Sequence, residues 1–235
     1  MKSKLALVIG NTDGIGLALT KKLLSMGWQV IGLSKSPSLI IESTYRHVIV
    51  DVTADDFIQQ LRTVLEVTPD VSIYCAGIGE KFDVKSIEFE QKVFQVNLMG
   101  AVKTIEAILP ALVQTKSGQI IVISSLADEI VSSDAPSYSA SKGGLSSYVE
   151  GLALAVRKHG VSITNVRFGF VDTKMAKGEK LLMMTVENAV DHLLQCIKNR
   201  PIRYSRPRLM AVLVLLVRWF MKFRLSLTSG MPPKS

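Results

Sequence analysis

Cysteine and histidine are scarce in this 235-residue sequence, and their spacing excludes two classes of protein. The two cysteines, Cys75 and Cys196, are too few and too far apart for a disulfide framework or a cysteine-based metal site. The three histidines show none of the spacings that are typical of metal ligands. We therefore expect a metal-free protein of a reducing compartment, the cytoplasm.

A signal peptide is not indicated either. Residues 1–4 run directly into the five apolar residues 5–9, a run too short for a signal sequence, which leads into a turn. With 48% hydrophobic residues, the chain has enough apolar surface for one full core.

Acidic residues are missing from the last part of the chain. From residue 198 onward there are nine Lys or Arg residues and no Asp or Glu, so the net charge of +8 belongs to this tail. No recognition motif or aromatic platform accompanies the cations, and we predict no nucleic-acid binding.

Strand and helix patterns alternate along most of the chain. Apolar runs predict strands at 4–9, 29–33, 47–50, 71–74, 119–123 and 161–168, with a short edge strand at 202–205. Helical patterns occupy 17–26, 54–67, 93–113, 138–158 and 185–198, the last with Thr185 as its N-cap. This alternation predicts an α/β fold, a Rossmann-type doubly wound parallel sheet in three layers. We expect one domain, residues 1–200, followed by a basic, apolar extension, residues 201–235.

A glycine-rich turn, Gly10-Asn-Thr-Asp-Gly14-Ile-Gly16, follows the first predicted strand and opens a helix. A turn in this context is typical of a dinucleotide-binding site. Glycines let the backbone approach a pyrophosphate, whose charge then lies at the helix N-terminus.

Tyr138 and Lys142 lie four residues apart, on one face of a predicted helix. An ammonium beside a phenol favours the phenolate, so we expect Lys142 to lower the pKa of Tyr138 from about 10 toward neutrality. Such a tyrosine exchanges protons at cellular pH. Ser125, at the end of the fifth strand, would donate a hydrogen bond to the reacting oxygen.

In this order, the motifs resemble those of the short-chain dehydrogenase/reductase family, in its compact single-domain branch, over residues 4–198. The matching residues are Gly10, Gly14, Gly16, Asp51, Val52, Ala76, Gly77, Asn97, Ser125, Tyr138, Lys142, Gly169, Val171 and Thr173. The sequence departs from the family at Ile9, at Tyr74-Cys75 and at Phe168, which replace the family's usual Thr, Asn-Asn and Pro. None of these changes removes a proton-transfer group.

The resemblance implies a catalytic tetrad of Asn97, Ser125, Tyr138 and Lys142. Tyr138 would be the acid or base, Lys142 would also hold the nicotinamide ribose, and Asn97 would anchor a proton-relaying water. The residues expected at the cofactor are Gly10, Thr12, Asp13, Gly14, Ile15, Gly16, Ser34, Lys35, Asp51, Val52, Ala76, Gly77, Tyr138, Lys142, Gly169, Val171 and Thr173. The family also implies a homodimer or homotetramer through the Asn97 and Tyr138 helices.

The end of the second strand bears on the choice of cofactor. An NAD site needs an acid there, but this chain has Ser34 followed by Lys35, which suits the 2′-phosphate of NADP. Asp13 argues the other way, because NADP-binding relatives often have a basic residue at its position. We predict NADP, with NAD possible.

The predicted loop 172–184 would line the substrate pocket. Its apolar residues Met175, Leu181, Leu182, Met183 and Met184 suggest an apolar wall for an apolar carbonyl or alcohol.

Residues 209–217 are nine consecutive apolar residues, too few to span a bilayer as a helix. Three interpretations stay open. The helix packs on its own core or a sister subunit, it covers the substrate cleft, or it lies in a membrane interface with its flanking cations.

The function predicted is an NADP-dependent oxidoreductase that interconverts a carbonyl and a secondary alcohol. The alternative is a non-catalytic dinucleotide-binding sensor or scaffold.

Overall fold

Seven parallel strands form one sheet at the centre of the protein. The computed structural model describes residues 3–176 and 182–228. The strands are β1 (Leu5–Ile9), β2 (Gln29–Ser34), β3 (Tyr45–Ile49), β4 (Val71–Tyr74), β5 (Gln119–Ser125), β6 (Ser162–Phe168) and β7 (Arg203–Arg206). Their order is β3-β2-β1-β4-β5-β6-β7, so the chain runs outward in both directions from β1 and β4. The predicted doubly wound sheet is confirmed, with β7 as its edge strand.

Helices cover both faces of the sheet. They are α1 (Gly14–Ser25), α2 (Phe57–Val64), α3 (Glu88–Phe94), α4 (Gly100–Thr115), α5 (Pro136–Val156), α6 (Val186–Asn199) and α7 (Arg208–Thr228). Successive side chains of a strand point to opposite faces. In β1, Leu7 and Ile9 join the core with α2, α4 and α5, whereas Ala6 and Val8 join the core with α1 and α6. These two cores produce the three layers.

The helix predicted at 54–67 is shorter in the structure. The Asp51 carboxylate accepts hydrogen bonds from Thr53 N at 2.9 Å and from Thr53 Oγ1 at 2.7 Å. This side-chain turn competes with helical hydrogen bonding. The helix α2 therefore begins only at Phe57.

The helix predicted at 93–113 begins earlier, at Glu88, so Asn97 lies in its third turn. α3 and α4 are joined by a π-helical turn, Gln95–Met99, and form one continuous helical segment. The Tyr74 hydroxyl donates a hydrogen bond to the Val96 carbonyl at 2.6 Å, inside this turn. Such turns are rare and occur mostly at functional sites.

Among the described residues, the segment Glu88–Thr115 is the one helix long and apolar enough to cross a membrane, and 44% of its most apolar window is buried inside the protein. It packs against α2 and α5, as a core helix does.

The helix α7 begins two residues after β7 and packs mainly against β7 and the short 3-10 helix Leu126–Glu129. Of its side chains that the structure describes, only Val214 is buried. The helix therefore packs on its own core along one side only, and the predicted contact of its exposed side with a sister subunit or a membrane interface stays a prediction.

Candidate active site

The residues predicted to bind and react lie together at the carboxyl edge of the sheet, where ligands bind in open α/β folds. Six of the seven strands end in, or are followed by, predicted site residues at this edge. These are the glycine turn after β1, Ser34 and Lys35 at β2, Asp51 and Val52 after β3, Ala76 and Gly77 after β4, Ser125 at the end of β5, and Gly169, Val171 and Thr173 after β6.

The glycine turn depends on backbone conformations that other residues rarely adopt. Gly10 has φ = +83° and Gly14 has φ = +49°. A Cβ atom on Gly10 would lie 2.6 Å from Ala76 N, so the turn after β1 lies directly against the segment after β4. The helix α1 begins at Gly14, and the Asp13 carboxylate caps it by accepting from Gly14 N at 2.8 Å. A close backbone approach beside a helix N-terminus suits a pyrophosphate.

Hydroxyl groups and an ammonium occupy the end of β2. The Thr12 hydroxyl donates to Ser34 Oγ at 3.0 Å, and Ser34 Oγ donates to the Ser36 carbonyl at 2.7 Å. The Lys35 ammonium lies 3.1 Å from Asp51 Oδ2. The pKa of Asp51 is lowered, chiefly by the hydrogen bond from Thr53 N, with a further contribution from Lys35.

The segment after β6 contacts the glycine turn from the other side. A Cβ atom on Gly14 would lie 3.2 Å from Thr173 Cγ2. The Lys174 ammonium lies 2.8 Å from Asp13 Oδ2, and this hydrogen bond is the main cause that lowers the pKa of Asp13. The Lys174 ammonium therefore lies next to Asp13, the acidic residue whose position is unfavourable for NADP.

Asn97 joins two parts of the site. Its side chain is fully buried and accepts a hydrogen bond from Ile78 N at 2.8 Å. The same amide donates to the Ile78 carbonyl at 2.9 Å and to Ser141 Oγ at 3.1 Å. It thereby fixes the loop after β4 to the helix that carries Tyr138.

Tyr138 and Lys142 lie in the first two turns of α5, at the carboxyl edge of the sheet. The candidate site at this edge is called the crevice. Lys142 is 5% exposed, and its ammonium donates to the Ile123 carbonyl at 3.0 Å. The same nitrogen lies 5.8 Å from the centre of the Tyr138 ring. A Cβ atom on Gly77 would lie 3.5 Å from both Lys142 Nζ and Asn97 Oδ1. The structure thus brings the four predicted tetrad residues together at one point of the crevice.

The predicted effect of Lys142 on the pKa of Tyr138 is not found in this structure. Burial raises the pKa of Tyr138, and a hydrogen bond with the Ser125 side chain opposes this effect only in part. Burial also lowers the pKa of Lys142 to about 8. The expectation was wrong because the lysine is itself desolvated and its ammonium is directed at the Ile123 carbonyl.

Sequence reasoning missed a buried ionic network beside Ser125. Asp128 follows Ser125 in a short 3-10 helix, Leu126–Glu129, and accepts from Ser146 Oγ at 2.6 Å. Arg167 of β6 is 4% exposed and donates to both Asp128 and Glu129. One signal was present: an arginine inside an apolar strand needs a buried acidic partner.

Gly79 was missed as well. A Cβ atom there would lie 2.6 Å from Cδ2 of the Tyr138 ring, so the ring can occupy its position only because residue 79 is a glycine. No local pattern indicates this contact, because the two residues are far apart in the sequence.

The predicted apolar wall is only partly present. Met184 forms an isolated parallel bridge with Val171 and is 8% exposed in the core next to α6, so it does not line the pocket. Met175 is 49% exposed, and Leu181 lies outside the described residues.

Comparison with known proteins identifies the family. The family model described as short chain dehydrogenase matches residues 4–181. The chain belongs to the short-chain dehydrogenase family. It is therefore an oxidoreductase that works with NAD or NADP, as the resemblance implied.

Relatives of this short-chain dehydrogenase include a fatty acyl-CoA reductase of Acinetobacter baylyi. The two are 29% identical over 227 residues, which is 87% of this chain and 76% of the relative. A solved short-chain dehydrogenase from Burkholderia cenocepacia, in complex with NADP, matches with a TM-score of 0.83 and 22% identity, over 98% and 99% of the two chains. A 4-hydroxyisoleucine dehydrogenase complexed with NADH matches with a TM-score of 0.78 and 24% identity, over 86% and 96%.

Proposed function

We propose that this short-chain dehydrogenase is an NADP-dependent oxidoreductase that interconverts a carbonyl and a secondary alcohol on an apolar substrate. The observation that carries the proposal is the meeting of Asn97, Ser125, Tyr138 and Lys142 at the carboxyl edge of the sheet. The bound nicotinamide would supply or accept the hydride. The protein's own residues hold the reactants and move the proton.

Tyr138 is the proposed proton donor. Because burial raises its pKa, the hydroxyl stays protonated at neutral pH, which suits the reduction of a carbonyl. The Ser125 side chain is close enough to lower the pKa of Tyr138 against the effect of burial, and it would polarise the same substrate oxygen.

Lys142 and Asn97 are proposed to support this transfer. An ammonium has three donors, and the Ile123 carbonyl uses one, so others are free to hold a ribose hydroxyl. The Asn97 side chain is committed to Ile78 and Ser141. We propose that Asn97 lines the path of the water molecules that resupply protons to Tyr138.

The same crevice would hold the dinucleotide. The pyrophosphate would lie at the N-terminus of α1, and Asp51, Val52, Ala76 and Gly77 would line the adenosine. Gly169, Val171 and Thr173 would border the nicotinamide. The close approach at Gly10 and the donors at the end of β2 fit this arrangement.

The proposed preference for NADP rests on charge. Lys35 follows a strand end that carries no acid, and Lys174 neutralises Asp13. In calorimetric titrations, we expect tighter binding of NADPH than of NADH. Lys35→Ala should weaken NADPH binding by about tenfold and leave NADH binding unchanged, because one contact to a phosphate is lost. The exposed control Lys92→Ala should change neither, and a wild-type preference for NADH would overturn the assignment.

The proposed apolar substrate is supported by the fatty acyl-CoA reductase among the relatives and by the exposed Met175 in the loop after β6. The test is NADPH consumption with medium-chain aldehydes and ketones, compared with short hydroxy or keto acids. We expect higher kcat/KM for the apolar carbonyls. Tight NADPH binding without turnover of any carbonyl would favour the second candidate, a non-catalytic dinucleotide-binding sensor or scaffold.

We also propose a cytoplasmic homodimer or homotetramer. Both cysteines are free thiols, as in a reducing compartment. The helical segment of Asn97 and the helix α5 expose apolar residues that an interface would cover, among them Met99 at 45% and Leu154 at 66%.

A further inference from the structure

The helix α7 exposes a continuous apolar surface. Nine of its large apolar side chains are between 43% and 73% exposed. They are Leu209, Val212, Leu213, Leu215, Leu216, Val217, Trp219, Phe220 and Phe223, and together they are called the outer face of α7. An apolar patch of this kind on a soluble protein marks an interaction site.

The outer face of α7 covers about half of the circumference of the helix, given 3.6 residues per turn. The opposite side carries Met210, Val214, Arg218 and Met221, which are buried or half-buried. Met210 packs against Gly169, and Arg218 forms an ion pair with Glu129. The helix is therefore attached by its narrow inner side, and its apolar half points away from the protein.

Positive charge accompanies this surface. Apart from Arg218, which pairs with Glu129 on the inner side, the helix contains Arg208, Lys222 and Arg224, and no acidic residue occurs from residue 198 to the end of the sequence. The rings of Trp219 and Phe223 stack in the outer face with their centres 6.3 Å apart. Cations and an exposed tryptophan beside an apolar face are typical of helices that lie in the interface of an anionic bilayer.

We propose that the outer face of α7 docks onto an anionic lipid bilayer, with the helix lying in the plane of the interface. A second copy of the chain is a poorer occupant, because packing two such faces together would bring their cations close to each other. Coverage of the protein's own cleft is excluded by the outward direction of the face. The helix would not span the bilayer, since its charged residues interrupt the apolar stretch.

Docking would place the crevice near the lipid. Met210, in the first turn of α7, packs against Gly169 of the segment after β6, and a Cβ atom on Gly169 would clash with Met210 Sδ. A docked helix would therefore hold this side of the crevice beside the bilayer, within reach of apolar molecules dissolved there.

The experiment is vesicle flotation of the full chain. One set of vesicles contains phosphatidylcholine alone, and the other also contains roughly one third phosphatidylglycerol. We expect binding to the anionic vesicles, weakened by added salt. Trp219→Glu and Leu216→Glu should each reduce binding by about tenfold or more, because a charge replaces a side chain that would enter the lipid. Val67→Glu is the matched control, because Val67 is 54% exposed but does not belong to α7. The Val67→Glu variant should bind the vesicles as well as the wild type does.

Tryptophan emission gives a second readout that needs no variant. Trp28 is 9% exposed in the core, whereas Trp219 is 73% exposed, so a blue shift on adding vesicles reports Trp219. Neither readout depends on turnover, and failure of the proposed reaction would leave both interpretable.

Equal binding of wild type and Trp219→Glu, or no binding at all, would overturn the proposal. An oligomer in solution that Trp219→Glu dissociates, without vesicle binding, would instead identify the outer face of α7 as a contact between copies.

Discussion

Arg167 and Asp128 form a buried, two-point ion pair. Arg167 Nε and Nη2 each lie 2.5 Å from a carboxylate oxygen of Asp128. Arg167 also contacts Glu129 at 3.0 Å, and both acids directly follow the segment that carries Ser125. The pair therefore fixes the end of β5, with its proposed oxygen-binding serine, to the neighbouring strand β6.

Removal of the arginine should destabilise the protein strongly. Arg167→Met leaves the buried Asp128 carboxylate without its cationic partner and Glu129 with Arg218 alone, which costs about 3–5 kcal/mol of unfolding free energy. The control Arg46→Met breaks an exposed pair with Glu66 and should cost about 1 kcal/mol or less. Urea denaturation measures both. Equally small losses for the two variants would show that the buried network contributes little.

The contact between Gly79 and Tyr138 should affect the reaction more than cofactor binding. Gly79→Ala would place a methyl group 2.6 Å from the ring and displace the proposed proton donor. We expect kcat to fall by at least about tenfold with NADPH affinity retained, since small misplacements of reacting groups are costly. Gly151→Ala is the control, because a Cβ atom there meets nothing within 4 Å. Equal kcat for both variants would mean that Tyr138 adjusts without cost.

The buried lysine should make stability depend on pH in a defined direction. The pKa of Lys142 is about 8 in the folded protein against 10.5 as the ordinary value. The unfolded chain binds more protons between these values, so stability should rise as the pH increases through this window. Relative to Lys142→Met, the wild type should gain about 2 kcal/mol between about pH 7 and pH 10.

The comparison with Lys142→Met isolates the lysine, because its ionisable neighbours Cys75 and Asp128 are present in both proteins. Denaturation curves over the pH range provide the measurement. A stability difference that stays constant with pH would show that Lys142 keeps its ordinary pKa.

The sequence predicted the sheet well, and it predicted that the candidate site residues lie at one edge of it, for physical reasons that act locally. Buried parallel strands require apolar runs, and a sharp turn such as that at Gly10 requires glycine. These patterns are visible along the chain. Because the strands are parallel, their carboxyl ends lie at one edge of the sheet. Ser125, the glycine turn and the helix that carries Tyr138 follow these ends and therefore lie at the same edge.

Other features depend on contacts between distant residues and were therefore not predictable. The π-helical turn at Asn97 is accompanied by the hydroxyl of Tyr74, which is 22 residues away from its partner Val96. Burial determines the pKa of Tyr138, and burial is known only from the tertiary structure. The position of Met184 in the core likewise follows from its bridge to Val171.

The most direct test of the proposed reaction compares Tyr138→Phe with the wild type in two measurements on the same preparations. One is NADPH binding by calorimetry, and the other is NADPH consumption with the best medium-chain carbonyl of the wild type. The variant should bind NADPH with wild-type affinity and lose turnover by at least about a hundredfold, since only the proton donor is removed. Undiminished turnover by Tyr138→Phe would contradict the assignment of Tyr138 and with it the proposed tetrad.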